Sequence, residues 1–161
     1  DSHAALALLR AMFDAAVDAA DPMRVVPPAL PARPAGGRVV VLGAGKAAAR
    51  MAEAVEAAWG PCAGLVITRH GHVRPTRGIE VAEAAHPVPD AAGQAASARM
   101  LAMARDLGPG DLALVLISGG ASALLVAPTV PLAIKQAVNA ALLASGASIG
   151  NGACRPPVVL A

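Results

Sequence analysis

Apolar and polar positions follow two regimes along this chain. In residues 4–20, Leu6, Leu8, Leu9, Met12, Phe13 and Val17 recur near the i, i+3, i+4 spacing of one helical face, with Arg10, Asp14 and Asp18 between them. That pattern predicts an amphipathic helix. Residues 21–37 break the periodicity with Pro22, Pro27, Pro28, Pro31, Pro34, Gly36 and Gly37, which predicts a linker or irregular excursion that excludes helix and central strand. Beyond it the pattern is regular. Residues 38–42 (RVVVL) form a short, continuous, β-branched run, as expected of a strand covered on both faces. Gly43-Ala44-Gly45-Lys46 follows at once, and residues 47–59 read as a helix. Residues 63–68 (AGLVIT) and a weaker run at 79–84 read as further strands. Pro89 and Asp90 are a start signal for a helix to Leu107. Residues 111–117 (DLALVLI) form the clearest strand, which runs into Ser118-Gly119-Gly120-Ala121-Ser122 and a short apolar helix. Pro131 opens a last helix to about Ala144.

Alternating strands and helices joined by right-handed crossovers imply parallel pairing. The expected fold is therefore α/β: a Rossmann-like, doubly wound, mostly parallel sheet with helices on both faces. Composition agrees. Of 161 residues, 56% are hydrophobic and 15% charged, which suits one ordinary domain with a buried core. Phe13 and Trp59 are the aromatic residues, so that core must be built from Ala, Val, Leu and Ile. Nucleic-acid modules that stack bases need ring platforms, which are missing here. The net charge is +2 with no run of Lys or Arg, so neither nucleic acid nor a membrane surface is an expected partner. No stretch approaches the roughly 20 apolar residues of a membrane span, and the first helix lacks the basic flank of a signal peptide. A cytoplasmic location is expected. Cys62 and Cys154 have no metal-ligand or CxxC spacing and are expected as free thiols.

Ligands of open α/β sheets bind outside the carboxyl ends of the strands, where this sequence concentrates its polar chemistry. In the first loop, Gly43 and Gly45 allow a tight turn with exposed amides, the next helix offers its positive dipole end, and Lys46 adds a full charge. An anion suits that loop; a plain turn with a solvated lysine is the alternative. The loop is not a Walker A motif, since a single residue separates Gly43 from Gly45 and Ala47 replaces the hydroxyl. Gly43, Gly45 and Ala48 do match G-x-G-x-x-A, but the ribose-binding acid expected about 20 residues on is replaced by Thr68-Arg69. An arginine suits a 2′-phosphate, so NADP binding stays open. In the second loop, Ser118, Gly119, Gly120, Ala121 and Ser122 offer hydroxyls and amides for a carboxylate or phosphate nest. The alternative is a glycine-rich helix start with Ser118 as N-cap. Ile117 before Ser118 excludes the G-x-S-x-G nucleophile elbow.

Between these loops lie His70, His72, His86 and Asp90. His-x-His without a third ligand on a rigid element is weak support for a metal, and hydrogen-bonding loop histidines are the simpler expectation. Arg69, at a strand end, can grip an anion with two bonds. Arg74 and Arg77 read as solvated loop charges.

Taken in order, VVVLGAGKAA (39–48), VITRHGH (66–72), EAAHPVPDAAG (83–93), DLALVLISGGASALL (111–125) and ALLASGASI (141–149) resemble the glycerate 2-kinase family, whose C-terminal half contains the MOFRL domain and whose relatives are often called hydroxypyruvate reductases. The resemblance runs from Leu6 to Ile149. It implies transfer of the ATP γ-phosphoryl group to the 2-hydroxyl of D-glycerate, with Mg²⁺, in a cleft between two domains. It gives Lys46 the role of neutralising charge on glycerate or the transferred phosphoryl group, and loop 118–122 that of holding phosphate or carboxylate. Which loop takes which anion stays open.

After Ile149 the family pattern stops. Residues 150–161 contain Pro156-Pro157 and none of the basic and glycine-rich motifs that follow in the family. The expectation is an N-terminal α/β domain at 1–149, an atypical tail at 150–161, a missing second domain, and little or no kinase activity from the fragment alone. An NADP-dependent hydroxypyruvate reductase and a non-catalytic, anion-binding or self-associating fragment are the alternatives. An open cleft face predicts homo-oligomers.

Overall fold

In the computed structural model, which describes residues 2–146, strands form at the continuous apolar runs and helices where the period lengthens. The tail from Gly150, and Cys154 with it, lies outside the described residues. Strands β1 (Val39–Ala44), β2 (Ala63–Arg69), β3 (Ile79–Ala84) and β4 (Leu112–Ile117) pair in parallel in the order β3-β2-β1-β4. Ala44 stands level with Ile67 and Ile117, which sets the carboxyl ends of β2, β1 and β4 side by side.

Side-chain alternation splits the core into two layers. On one face α3 (Ala48–Trp59) packs Ala48, Ala52 and Val55 onto Val41, Val66 and Leu116. On the other, α4 (Ala91–Arg105) packs Ala96 and Met100 onto Val40, Leu42, Leu65 and Ile67. The fold is thus doubly wound, as expected. Alanine-rich helix faces let both helices lie close to the sheet. Gly64 lets β2 approach β1, because a Cβ there would collide with the Val41 carbonyl.

The opposite end of the sheet is held by carboxylates. Glu56, a buried residue of α3, accepts hydrogen bonds from the amides of Cys62, Arg77, Gly78 and Ile79. Burial opposes its ionisation, but those amides outweigh burial and hold its carboxyl below the usual range. Asp111 accepts from the Gly108 and Arg38 amides and from the Arg38 guanidinium, which lower its pKa to about 2. Arg77 is therefore no loose loop charge; its guanidinium donates to the Glu56 carbonyl.

Two expectations are corrected by the structure. The proline-rich segment holds a one-turn helix, α2 (Pro22–Val25), and a 3-10 turn at Pro27–Ala29. Proline stands there at helix starts, where its missing N–H costs nothing, and Asp21 caps α2 by accepting from the Met23 amide. The first loop also begins later than its glycines indicate. Gly43 lies inside β1, where a Cβ would come within 2.7 Å of the Leu116 carbonyl oxygen.

Not every apolar pattern finds a partner. Helices α1 (Ser2–Ala19) and α6 (Leu132–Ser145) bury no residue, and Val115 and Ile117 of edge strand β4 remain 59% and 55% exposed. No described helix is long and apolar enough to cross a membrane. Cys62 is buried, and its thiol is free.

Candidate functional site

Two loops leave the adjacent carboxyl ends of β1 and β4 and bond to each other. The Lys46 amide donates to the Gly119 carbonyl at 2.9 Å, and the Ala47 amide donates to Ser118 Oγ at 3.0 Å. Below them the Gly45 amide donates to the Ile67 carbonyl and the Ser118 amide to that of Ala44, each at 3.1 Å. Gly45 has φ 134°, and a Cβ there would strike Ser118. Only glycine meets both demands easily. Ser118 thus serves the start of α3, across the sheet, rather than capping its own helix; α5 (Ala121–Leu124) starts after Gly120, which has φ 88°.

Gly120 is the meeting point of three segments. A Cβ on it would come within 2.7 Å of His86 Nε2 and 3.3 Å of Lys46 Cγ. Lys46 therefore lies over the Gly119-Gly120 backbone with the His86 imidazole beside it. Among the described residues, the Gly119 and Gly120 amides donate to no protein acceptor. Unspent backbone donors beside a lysine are what an anion site requires. Ser122 is exposed on α5, and Arg69 is exposed at the end of β2. The structure brings together Gly45, Lys46, Ser118, Gly119, Gly120 and Ala121; Gly43 belongs to the sheet, and Arg69 is the last residue of the neighbouring strand β2.

Beside this junction Lys46, Arg50, His72 and Arg74 line a pocket of about 330 Å³. Arg50 grips Asp21 with two bonds, Nε to Oδ1 at 3.0 Å and Nη2 to Oδ2 at 2.9 Å. Glu53 Oε2 accepts from Arg50 Nη1 at 2.8 Å and from Arg74 Nε at 2.9 Å. Burial works against the Glu53 charge, yet the Arg74 and Arg50 guanidiniums hold its carboxyl below the usual range. The Arg50 hydrogen bond, with the Met23 amide, lowers Asp21 to about 2. Arg74, expected as a solvated loop charge, is indeed exposed on the β2–β3 loop, and it also borders this pocket and pairs with Glu53. Sequence patterns missed this group because it joins α3 to the proline-rich segment and to the β2–β3 loop. The signal present was the i, i+3 spacing of Arg50 and Glu53 one turn after Lys46.

His70 Nε2 lies 3.5 Å from Asp90 Oδ2, and Asp90 also caps α4 by accepting from the Gly93 amide. Among the described residues, no group of three or more His, Cys, Asp or Glu is arranged to hold a metal ion. The carboxylates nearest the pocket, Asp21 and Glu53, are already committed to guanidiniums.

A parallel sheet with helices on both faces, interlocked glycine-rich loops and a basic pocket at its strand ends defines an open-sheet α/β domain. The chain belongs to the family described as a domain of unknown function, DUF4147, which it matches over residues 8–152. A protein of Agrobacterium vitis, provisionally named a hydroxypyruvate reductase, is 53% identical over 148 residues, covering 89% of this chain and 34% of that protein. The D-glycerate 2-kinase of Thermotoga maritima is 39% identical over 117 residues, 70% of this chain and 28% of its own length. A crystal structure of glycerate kinase from Thermotoga maritima superposes with a TM-score of 0.69 at 36% identity, covering 85% of this chain and 34% of that one. The chain thus spans about a third of the length of these relatives.

Proposed function

We propose that residues 1–149 are the N-terminal α/β domain of a glycerate 2-kinase-like protein acting in the cytoplasm, with the second wall of its cleft supplied by a second domain. The reaction joins the 2-hydroxyl oxygen of D-glycerate to the γ-phosphorus of ATP and breaks the bond from that phosphorus to the β–γ bridging oxygen. The products are 2-phosphoglycerate, ADP and the hydroxyl proton. Such transfers depend on positioning and on stabilising spread negative charge. Lys46 supplies a mobile positive charge over the Gly119 and Gly120 amides, which hold an anion without reorganising. In this reading His86, which lies against Gly120, takes the hydroxyl proton. Mg²⁺ is expected with ATP, and among the described residues no group of three or more His, Cys, Asp or Glu is arranged to hold it.

The observation that carries this reading is the interlocking of the Lys46 and Ser118–Ser122 loops with unspent amides at their junction. A coupled assay for 2-phosphoglycerate with ATP, Mg²⁺ and D-glycerate tests it, with Lys46→Ala as control. On the whole protein, turnover should fall by about a hundred-fold or more in the variant. An unchanged rate would remove Lys46 from the chemistry. Residues 1–161 alone should show little or no turnover.

The name of the Agrobacterium vitis relative favours a second reading, NADP-dependent reduction of hydroxypyruvate. NADPH oxidation dependent on hydroxypyruvate, with no 2-phosphoglycerate formed, would establish it. Homo-oligomers through the exposed faces of α1, β4 and α6 are a further expectation, read as a concentration-dependent mass in sedimentation.

A further inference from the structure

The pocket beside the loop junction has an internal construction that an anion site for a single carboxylate does not need. Its walls come from three separate segments: Lys46 from the β1–α3 loop, Arg50 from α3, and His72 and Arg74 from the β2–β3 loop. All three nitrogens of Arg50 already hold a carboxylate oxygen, which leaves one N–H on each terminal nitrogen. Among the described residues Arg74 is held by Nε alone, which leaves its terminal nitrogens for a guest. Lys46 makes no ion pair among the described residues. Lys46, Arg50 and Arg74 against Asp21 and Glu53 leave the pocket net positive before His72 is counted.

We infer that this pocket takes the polyphosphate chain of a nucleotide, and that Glu53 is the positioning residue that builds it by fastening Arg74 to α3. The inference rests on the kinase reading for its nucleotide but not for its anion. A space of about 330 Å³ with separated cationic ends on Lys46 and Arg74 suits an extended anion carrying several charges. A single small carboxylate is left to the Gly119 and Gly120 amides, which lie against the Lys46 side chain but do not line the pocket. The two anions are thus divided between the two sites, with Lys46 bordering both.

Glu53 distinguishes positioning from mere charge. Glu53→Gln removes a negative charge from a cationic pocket. Were Glu53 only a counter-charge, a polyanion would bind the variant more tightly. As the anchor of Arg74, it should be needed for binding, and its loss should weaken the polyanion despite the more positive pocket. Isothermal titration of the 161-residue chain with sodium tripolyphosphate at low ionic strength reads the difference, with orthophosphate and D-glycerate titrated alongside. Tripolyphosphate should bind at least about ten-fold more tightly than orthophosphate, and both Glu53→Gln and Arg74→Gln should lose about ten-fold. D-Glycerate should not displace it. Tighter binding by Glu53→Gln, unchanged binding by Arg74→Gln, or displacement by D-glycerate each overturns the assignment. Arg74 is half-exposed, so its variant reports on the site even where Glu53→Gln fails to fold. Tripolyphosphate binding that depends on Arg74, in a whole protein that forms no 2-phosphoglycerate, would sink the kinase reading and leave the pocket. Turnover with an unchanged KM for ATP in Arg74→Gln would do the reverse.

Discussion

The β1–β2–α3 layer and the outer surface of α1, β4 and α6 carry apolar patterns of similar strength and meet opposite fates. In the first, Val41, Val55, Leu65, Val66 and Ile67 are fully buried. In the second, Leu9, Met12 and Phe13 of α1 and Val138 and Leu143 of α6 are more than half exposed. Periodicity reports that a face seeks a partner; it does not say whether that partner lies in the same segment of chain. Burying one Leu or Val side chain is worth about 1.5–3 kcal/mol, so these outer faces are stabilisation not yet realised by the described residues. A chain spanning a third of its relatives' length fits that picture.

The largest expected effect breaks the comparison directly. Leu65→Ala removes a fully buried side chain between β1, β3 and α4 and should destabilise this chain by about 3 kcal/mol, by transfer and cavity terms together. Leu9→Ala, the same chemistry on the exposed face of α1, should move the denaturant midpoint of the isolated chain hardly at all. Equal losses at the two positions would show that α1 is packed in solution, by self-association or otherwise, and a rerun over a range of concentrations would tell which.

Much of the fold was legible because its strands are short apolar runs with glycine-rich ends, and α4 begins at the expected Pro89-Asp90 signal. The interlocking of the two strand-end loops was not, since it depends on β1 and β4 being neighbours although α3, β2, β3 and α4 lie between them in sequence. Ser118 shows the consequence. Its hydroxyl reads naturally as a local cap or an anion ligand, yet it accepts from Ala47, a residue 71 positions away. Arg50, Glu53 and Arg74 were hidden for the same reason, as their meaning lies in a contact between elements.

The next effect lies at the end of the sheet away from the two glycine-rich loops. Glu56→Ala strands the amides of Cys62, Arg77, Gly78 and Ile79 and should cost about 3 kcal/mol in chemical denaturation. Its carboxyl is depressed in the folded state, so its contribution is complete above the unfolded value of 4.5 and is lost as pH falls through the lower folded value. Asp21, depressed from 3.8 to about 2, acts with the same sign over a lower range. Stability should therefore decline as pH falls below about 4.5, and Glu56→Gln should flatten the upper part of that decline. A Glu56→Gln profile as steep as the parent's would assign acid sensitivity to the arginine-paired carboxylates instead.

The smallest effect lies within the well-packed layer itself. Thr68 is fully buried in β2, and its Oγ1 has no hydrogen-bond partner among the described residues. Alternation from Val66 directs its side chain to the α3 side, beneath the helix that follows Lys46 and whose first turn carries Arg50. A desolvated hydroxyl without a partner costs stability, whereas a methyl of the same shape costs nothing to bury. Thr68→Val should then raise the denaturant midpoint, by about 1 kcal/mol of stability, and leave tripolyphosphate binding untouched. A destabilised variant would mean that a buried water satisfies the hydroxyl. A variant that is stable yet binds tripolyphosphate poorly would place that water in the pocket, and the pocket floor would then extend down to β2.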